Sequence, residues 1–389
     1  MRTVKNTQCG LNNMDDKINV LFMTVQLETI GGSEKLIYDL ASKLDRSLFN
    51  PSVCWLTGEK ALREFEDLEI PMFHIPKTKR RDISAFIKIR DIILQNKIHV
   101  VNAHHFMPMV YSFYGCKIPN RIKLFYTEHS QWEIERISLK WKIVGKYLLN
   151  RLDGIIGVSD EVSKALQNKY NLASGKIDCI INGVDINAFK KLEVDNSLKS
   201  KLGLANEDKI LGMVANLKKV KNHILLLKVF REICNDIKNV KLILIGEGDK
   251  NDPENTEDDL KRYVRENGLE GFVYFLGYRS DIPQLINIMD IFCLTSKKEG
   301  LPISLIEAMA SSLPVIGTDV EGIRDVIVQN KNGFLVQHED AVGLKNAILT
   351  LLNNDSLRQV FGNESRNIVE KYYSFDNCIK KYQDLFTCK

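Results

Sequence analysis

Short runs of apolar residues alternate with longer amphipathic stretches along the chain from Lys17 onward. Runs of about four to eight apolar or β-branched residues are typical of buried strands. Stretches with apolar positions every three or four residues are typical of helices. A strand followed by a helix, many times over, is the pattern of a parallel sheet covered by helices on both faces. The sequence therefore predicts an α/β fold throughout.

The first half of the chain carries one such series. Its predicted strands are Ile18–Val25, Ser52–Leu56, Val100–Ala103, Lys123–Thr127, Gly154–Val158 and Lys176–Ile181. Helical patterns lie between several of them, at Asp82–Gln95, Ser138–Leu152 and Asp160–Lys169.

A polar stretch at Asp185–Asn206 interrupts the pattern before a second series begins. The predicted strands of that series are Ile210–Ala215, Val240–Ile245, Val273–Leu276, Ile291–Leu294 and Pro314–Thr318, and the predicted helices are Ile224–Asn235, Glu257–Asn267, Ser304–Ala310 and Ala341–Leu352. One more helix is predicted at Phe375–Thr387.

Two series of similar length predict two Rossmann-like doubly wound domains facing across a cleft, because open α/β sheets bind ligands at the carboxyl ends of their strands. The predicted divisions are a flexible N-terminus (1–16), a first domain (17–190), a hinge (191–206), a second domain (207–370) and a C-terminal helix (371–389) that crosses back to the first domain.

Composition narrows the function classes. The 54 basic and 50 acidic residues give a formal charge of +4, too balanced to indicate nucleic-acid binding. The eight cysteines form no CxxC or Cys/His cluster, which favours a reducing compartment and no structural zinc. No stretch reaches the roughly 18 apolar residues of a membrane span, and no signal peptide is evident. These features predict a cytoplasmic protein.

The most informative stretch runs from Ser296 to Ala310 and follows the predicted strand Ile291–Leu294. Glu299 falls at the sheet edge, and Gly300 after it would let a ligand approach the backbone. The amides of Leu301, Pro302's successor Ile303 and their neighbours are expected to be free at a helix N-terminus. Glu307 follows two helical turns later, where both carboxylates could accept hydrogen bonds from sugar hydroxyls. Taken alone, the pair is better interpreted as an exposed loop acid at Glu299 and, at Glu307, a cap on a neighbouring element.

The whole string resolves that choice, because EGLPISLIEAMA, followed by PVIGTDVEGIRDVI and NGFLV, resembles the Glu-x7-Glu motif of retaining GT-B glycosyltransferases of family 4. The resemblance implies that Glu299 contacts the transferred sugar and that Glu307 contacts the ribose of the nucleotide. It also identifies Pro302 and its neighbours as part of the donor site.

The resemblance extends into the first half. Gly31 and Gly32 match the family's glycine loop, which approaches the donor phosphate or the acceptor, although a generic βα turn also favours Gly-Gly. His129, within YTEHS, matches a histidine beside the reacting sugar. His104 and His105 end another predicted strand and are candidates for acceptor contacts. The alternative for all three histidines is a cleft-lining or core position.

In the second domain, MVANLKKVKNH resembles the family's basic phosphate-binding loop, with Lys221 at the position of its lysine. Asn216 stands where the family usually has arginine, and Lys218 is the candidate to supply the missing charge, as a point charge and not a bidentate fork. The remaining candidates for donor binding are Gly246, beside the phosphates, and Tyr278 and Arg279, in the loop that resembles the base-binding segment.

The function that the resemblance implies is retaining transfer of a hexose or N-acetylhexosamine from a nucleotide sugar, with no bound metal and no cofactor. A UDP-sugar is favoured, with GDP-mannose next, and the expected acceptor is a glycan or lipid-linked saccharide of surface polysaccharide biosynthesis. The alternatives are a non-catalytic nucleotide-sugar-binding protein, or a sugar-nucleotide epimerase or phosphorylase on the same fold. The sequence has no GxGxxG fingerprint of a dehydrogenase.

Two basic stretches indicate contact with an anionic membrane at the inner face of the cytoplasmic membrane. They are Lys77–Arg81 and Trp132–Arg151, where cations alternate with apolar residues. Ordinary solvated helix faces share this pattern.

Overall fold

In a computed structural model of the chain, the structure describes residues 17–28, 32–76, 83–116, 122–173, 175–249 and 252–387. The chain forms two compact units. The first contains the chain up to Asn182 together with the segment from Cys378 onward, and the second contains Gly183–Asn377. The segment 191–206, predicted as the hinge, lies within the second unit, so the units part at Asn182 and not in the later polar stretch.

The described strands of the first unit form a seven-stranded parallel sheet in the order β3-β2-β1-β4-β5-β6-β7. Its strands are β1 (Ile18–Thr24), β2 (Phe49–Trp55), β3 (Met72–His74), β4 (Val100–His104), β5 (Lys123–Glu128), β6 (Gly154–Gly157) and β7 (Ile177–Cys179). Its helices are α1 (Gly32–Lys43), α2 (Arg63–Glu66), α3 (Ile83–Gln95), α4 (Phe106–Cys116), α5 (Gln131–Arg136), α6 (Leu139–Leu149) and α7 (Asp160–Tyr170).

Among the described residues of the second unit, six strands form a parallel sheet in the order β10-β9-β8-β11-β12-β13. The strands are β8 (Lys209–Val214), β9 (Val240–Ile245), β10 (Val273–Phe275), β11 (Ile291–Leu294), β12 (Val315–Thr318) and β13 (Gly333–Val336). The helices are α8 (Asn196–Lys201), α9 (His223–Asp236), α10 (Glu257–Glu266), α11 (Ile282–Asn287), α12 (Ile303–Ala310), α13 (Ile323–Val326), α14 (Ala341–Leu352) and α15 (Asp355–Ile368), with a 3-10 turn at Lys219–Lys221 and a π turn at Val369–Tyr373.

Both sheets are doubly wound, and each has a switch point where the chain reverses its direction across the sheet. In the first unit that point lies between β1 and β4, and in the second between β8 and β11. Loops that leave neighbouring strands in opposite directions open a crevice at the carboxyl ends of those strands. The predicted Rossmann-like fold of both domains is therefore confirmed.

The last helix, α16 (Phe375–Thr387), completes the core of the first unit. Phe386 is 1% exposed, and its ring lies 6.3 Å from that of Phe22 and 5.5 Å from that of Phe125. The Lys123 Nζ donates a hydrogen bond of 3.2 Å to the Phe386 carbonyl. The chain end thus returns to the first unit, as the sequence predicted.

Among the described residues, no helix combines the length and the apolar character that spanning a membrane would require.

Candidate functional site

The second unit places Lys221 and Glu299 in direct contact at its switch point. The Lys221 Nζ lies 2.6 Å from the Glu299 Oε1, and the Ser296 hydroxyl donates to the same oxygen at 2.6 Å. The Glu299 side chain is only 9% exposed. Lys221 ends the turn that follows β8, and Glu299 lies in the loop after β11, so the pairing of these two strands brings them together. The two residues expected at the sugar and the phosphate are therefore neighbours.

Hydrogen bonds from one side chain and one backbone amide join the two loops to each other. The Thr295 hydroxyl lies 3.3 Å from the Lys221 carbonyl and 3.1 Å from the Asn222 carbonyl, and the Lys297 amide donates to the Val220 carbonyl at 2.8 Å. Asn222 adopts the left-handed conformation, with φ 52°, where asparagine is tolerated better than most residues. These bonds fix the backbone of the turn that carries Lys221.

A close approach of two backbone segments shapes the loop that carries Glu299. A Cβ added to Gly322 would lie 2.0 Å from the Gly300 carbonyl oxygen, and Gly322 has φ 82°. A Cβ added to Gly300 would meet nothing within 4 Å, so this side of the backbone is open. Close approach of a ligand to Gly300 stays a prediction, and the open side of this backbone is compatible with it.

Helix α12 begins directly after this loop, with Pro302 as its N-cap residue. The Ile303 amide donates to the Leu301 carbonyl at 3.0 Å, so this amide is not free, in contrast to the prediction for the helix N-terminus. Glu307 lies in the buried part of α12 and is 9% exposed. Gly300, Leu301, Pro302 and Ile303 thus form one continuous segment from Glu299 into the helix that carries Glu307.

Lys218, the candidate to replace the absent arginine, is engaged by an acid. Its Nζ lies 2.6 Å from the Asp252 Oδ2, and this contact lowers the pKa of Asp252. Asn216 is exposed, and Gly246 approaches its loop so closely that a Cβ there would lie 2.1 Å from the Ala215 carbonyl oxygen. In this arrangement both ammonium groups are paired with carboxylates, Lys218 with Asp252 and Lys221 with Glu299.

The predicted base-binding loop lies after β10. Tyr278 is 72% exposed, and the Arg279 guanidinium contacts both carboxylate oxygens of Asp281. The Gly246 amide donates to the Gly277 carbonyl at 2.9 Å, which brings the loops after β9 and β10 side by side.

Sequence reasoning did not single out two groups near this pair in the second unit, Glu339 and His223. The Glu339 carboxylate contacts the Lys297 Nζ at 3.0 Å and accepts a 3.3 Å hydrogen bond from the Asn222 side chain. His223, at the start of α9, is 2% exposed, and burial followed by the charge of Lys221 lowers its pKa to about 4. Glu339 carries no local signal, since it lies far along the chain from the loop it supports. The position of His223 beside Lys221 was a signal that could have been used.

The first unit brings three histidines together at the carboxyl ends of β4 and β5, one strand from its switch point. The His104 Nδ1 lies 2.8 Å from the His129 Nε2, and the rings of His105 and His129 are 5.0 Å apart. His104 ends β4 and His129 follows β5, two paired strands. Burial, followed by the charges of neighbouring histidines, holds the pKa values of His104 and His129 well below the ordinary value. Both rings are therefore neutral at neutral pH.

His105 differs from its neighbours because two carboxylates surround it. Its Nδ1 lies 3.1 Å from the Glu133 Oε2 and 3.9 Å from the Glu128 Oε1. Burial opposes the charge of the ring, but the hydrogen bond and charge of Glu133, with further charges nearby, outweigh burial and raise the pKa of His105. His105 also has φ 72°, a left-handed conformation that is uncommon for residues with a side chain.

Glu128, which the sequence analysis overlooked, is fully buried under the histidines. Its carboxylate accepts hydrogen bonds from the Tyr126 hydroxyl, from the His129 amide at 2.8 Å and from the Ser130 amide at 3.2 Å. Ligand atoms of His105, Glu128 and Glu133 lie within 4.8 Å of one another, a spacing that a cation could bridge. Through its hydrogen bond to the His129 amide, the Glu128 carboxylate orients the His129 backbone.

The glycine loop is only partly described. Gly31 lies outside the described residues, while Gly32 is the first residue of α1 and has open space around it. The basic stretch Lys77–Arg81 also lies outside the described residues.

The segment 132–151 carries several exposed apolar side chains on α5 and α6, and we call this set of residues the α5–α6 face. Its apolar members have side chains exposed by 37–73%, and they are Trp132, Leu139, Trp141, Ile143 and Tyr147. Its cations lie among them, with Arg136 stacked 4.1 Å from the Trp132 ring centre and Arg151 at 3.6 Å from that of Tyr147. Large exposed apolar patches on a folded unit indicate an interaction surface.

Comparison with known families agrees with this geometry. A family model described as Glycosyltransferase Family 4 matches residues 30–188, and one described as Glycosyl transferases group 1 matches residues 194–368. The first covers the unit with the histidines, and the second covers the unit with Lys221 and Glu299.

Two characterised relatives align with most of the chain. N-acetyl-alpha-D-glucosaminyl L-malate synthase of Bacillus anthracis is 24% identical, over 83% of this chain and 83% of that protein. The UDP-Gal:alpha-D-GlcNAc-diphosphoundecaprenol alpha-1,3-galactosyltransferase of Escherichia coli is 22% identical, over 84% of this chain and 86% of that protein.

Solved structures show the same fold. A glycosyltransferase from Rickettsia africae superposes with a TM-score of 0.85 at 19% identity, covering 95% of this chain and 98% of that one. HepE of Anabaena, in complex with UDP, superposes with a TM-score of 0.81 at 23% identity, covering 94% of this chain and 99% of that one. The two family models, the relatives and the two Rossmann-like units together show that the chain belongs to glycosyltransferase family 4 and is a glycosyltransferase of the GT-B fold.

Proposed function

We propose that the protein is a retaining glycosyltransferase that moves a hexose or N-acetylhexosamine from a UDP-sugar to a lipid-linked saccharide or glycan. The observation that carries this proposal is the contact of Lys221 with Glu299 at 2.6 Å, at the carboxyl ends of β8 and β11. An ammonium beside a carboxylate that is itself next to an open glycine offers one group for a phosphate and one for sugar hydroxyls.

Each group has a role in the proposed reaction. Lys221 offsets the charge that develops on the leaving diphosphate, Glu299 orients the sugar hydroxyls, and Glu307 holds the ribose. His129 donates a hydrogen bond to a hydroxyl of the transferred sugar. The bond from the anomeric carbon to the diphosphate breaks as the bond to the acceptor oxygen forms on the same face, and the acceptor proton passes to a diphosphate oxygen. No resident metal or cofactor is assigned a step.

The donor preference is supported by similar proteins. HepE of Anabaena binds UDP, and the Escherichia coli relative is named for transfer from UDP-Gal. We therefore place UDP-sugars ahead of GDP-mannose. The same relative is named for an acceptor attached to diphosphoundecaprenol, which supports a lipid-linked acceptor.

Calorimetric titration with UDP and with GDP tests the donor site. UDP should bind, and both Lys221→Ala and Glu307→Ala should weaken it by about tenfold or more, because each removes a charge-assisted hydrogen bond. Lys219→Ala is the matched control, since Lys219 is exposed in the same turn. Tighter binding of GDP would reverse the donor preference. Binding of either nucleotide without any transfer activity would favour the alternative, a non-catalytic nucleotide-sugar-binding protein.

Retention and metal independence need their own assays. Proton NMR of the product should show the anomeric configuration of the donor, and turnover should persist in EDTA. A covalent sugar adduct on Glu299, trapped by mass spectrometry, would overturn single-face transfer in favour of double displacement.

The α5–α6 face supports placement at the inner face of the cytoplasmic membrane. Aromatic side chains with neighbouring cations suit the boundary between lipid headgroups and acyl chains. Sedimentation with vesicles containing phosphatidylglycerol should retain the wild type and lose the triple variant Leu139→Ser, Ile143→Ser and Tyr147→Ser. A matched control replaces the exposed apolar residues Val342 and Val360 of the second unit by serine. Equal sedimentation of both variants would exclude this face as the contact.

A further inference from the structure

His104 and His129 form a buried hydrogen bond that leaves one ring nitrogen without a partner. The His104 Nδ1 lies 2.8 Å from the His129 Nε2, and the rings stack with their centres 5.1 Å apart. His104 is 0% exposed, and its Nε2 is buried without a hydrogen-bond partner among the described residues. His129 is half-buried, and its Nε2 is hydrogen-bonded to His104. The His129 Nδ1 is therefore the ring nitrogen that is left to bind a ligand.

The positions of the protons follow from this geometry. Two neutral imidazoles share one hydrogen bond, so only one of the two facing nitrogens carries a proton. If the His129 Nε2 carried this proton, the His104 Nδ1 would be the acceptor. The ring proton of His104 would then lie on the His104 Nε2, as a buried N–H without an acceptor. If the His104 Nδ1 carries it, the His104 Nε2 is a bare lone pair. Buried N–H groups without a partner are rarer in proteins than acceptors left short of a partner, so the second arrangement is favoured.

We propose that His104 is a positioning residue that fixes the tautomer of His129, so that the His129 Nδ1–H is a hydrogen-bond donor to a hydroxyl of the transferred sugar. This inference rests on the proposed function for the contact with the sugar. The new element is that the His129 Nδ1 makes the contact and that His104 determines the tautomer of His129. Both residues are neutral at neutral pH because burial lowers their pKa values.

The backbone supports the same arrangement. The Glu128 carboxylate accepts the His129 amide at 2.8 Å and thereby fixes the start of the side chain, while His104 fixes the far edge of the ring. With the backbone amide and the Nε2 of His129 both fixed by hydrogen bonds, the Nδ1 of the ring is held in one position. A hydroxyl oxygen that meets this nitrogen must accept the hydrogen bond.

Nitrogen-15 NMR of the full-length protein labelled at histidine tests the tautomer without substrate. The signals of His129 and His104 are assigned by their loss in His129→Gln and in His104→Leu among the seven histidines. At pH 7 the His129 Nδ1 should be protonated and its Nε2 bare. In His104→Leu, the remaining His129 ring should shift to a mixture of tautomers. A wild-type His129 that is protonated on Nε2, or charged, would overturn the proposal, as would an unchanged tautomer in His104→Leu.

Kinetics separate this inference from the proposed function. His104→Leu should lower kcat by roughly tenfold, the loss of about one neutral hydrogen bond, with a smaller change in the donor KM. His104→Asn should recover part of the loss, because its amide places a donor near the former Nδ1, which a purely structural role would not require. Full activity of His129→Gln alongside the expected tautomer would overturn the contact with sugar but not the tautomer itself. Equal kcat in His104→Leu and wild type would overturn the positioning role.

Discussion

The ion pair of Lys221 and Glu299 is largely buried. We expect it to contribute little to the stability of the fold and more to the proposed reaction. Removing two charges from water costs free energy that their attraction often only just repays. Glu299 also accepts the Ser296 hydroxyl, so its oxygen is held by two donors at 2.6 Å each. At the residue scale, the second unit thus holds a charged pair where we propose that the nucleotide sugar binds.

Lys221→Ala should lower turnover by about a hundredfold to a thousandfold, because it removes the preorganised ammonium that we propose stabilises the negative charge of the leaving diphosphate. The double variant Lys221→Met with Glu299→Gln removes both charges and should restore most of any lost thermal stability without restoring turnover. Steady-state kinetics and calorimetric unfolding measure the two effects. Wild-type turnover in Lys221→Ala would remove this residue from the site.

The His105–Glu133 pair should stabilise the fold most between about pH 4.5 and 6.5, the ordinary values of the two groups. The raised pKa of His105 means that the stabilisation is complete below about 6.5 and is lost as the pH rises through the folded pKa. The lowered pKa of Glu133 means that it is lost again as the pH falls through that group's folded pKa.

Glu133→Gln should therefore lower the free energy of unfolding more at about pH 5.5 than at about pH 9, by no more than about 1 kcal/mol, because the Glu133 side chain is 40% exposed. Denaturant unfolding at the two pH values measures the difference. Glu135→Gln, on the same helix, is the control. A larger effect at the higher pH would contradict the assignment.

At the scale of elements, the conformation of the loop between β11 and α12 depends on a glycine from a different loop. Gly322, before α13, lies against the backbone of Glu299 and Gly300, and its φ of 82° suits glycine. The position of Glu299 thus depends on a turn that follows β12.

Gly322→Ala should destabilise the second unit by about 1–3 kcal/mol and weaken nucleotide binding, because the added Cβ would lie 2.0 Å from the Gly300 oxygen at an unfavourable φ. Gly300→Ala, on the other side of the same contact, should leave thermal unfolding nearly unchanged, since its Cβ meets open space. Scanning calorimetry of the two variants compares them directly. Equal unfolding temperatures would show that this approach is not a constraint.

At the scale of the whole molecule, one of the two units is built from two separate stretches of the sequence. The second unit is continuous, whereas the first draws on both ends of the sequence, with Phe386 packed beside Phe22 and Phe125. The first unit therefore acquires its complete core only when the last helix is present.

Phe386→Ala in the full-length protein should destabilise the first unit by about 3–5 kcal/mol, the usual cost of removing a buried aromatic ring. Tyr372→Ala, at a side chain that is 56% exposed, should change stability by about 0.5 kcal/mol or less. Thermal unfolding followed by near-ultraviolet circular dichroism measures both. A similar small effect of the two substitutions would show that the chain end contributes little to that core.

How far the sequence could predict the fold depended on the length and burial of each element. Central strands such as β1 and β9 are long apolar runs, because strands covered on both faces by helices are buried on both sides. The short edge strand β3 is half-buried at all three residues and β13 is buried only at its two ends, so both left too weak a signal. The polar stretch after Asp185 suggested a hinge, but polarity indicates exposure and not a boundary between cores.

The sequence by itself determined the α/β architecture and the motif around Glu299 and Glu307, because periodicity and short motifs are local properties of the chain. Only the tertiary structure decided which polar groups meet. His104 reaches His129 across 25 positions, Lys221 reaches Glu299 across 78, and Lys123 reaches Phe386 across 263. Such contacts follow from the order and register of strands, which long-range packing of the cores sets. The tautomer proposed for His129 likewise depends on a partner that no local pattern specifies.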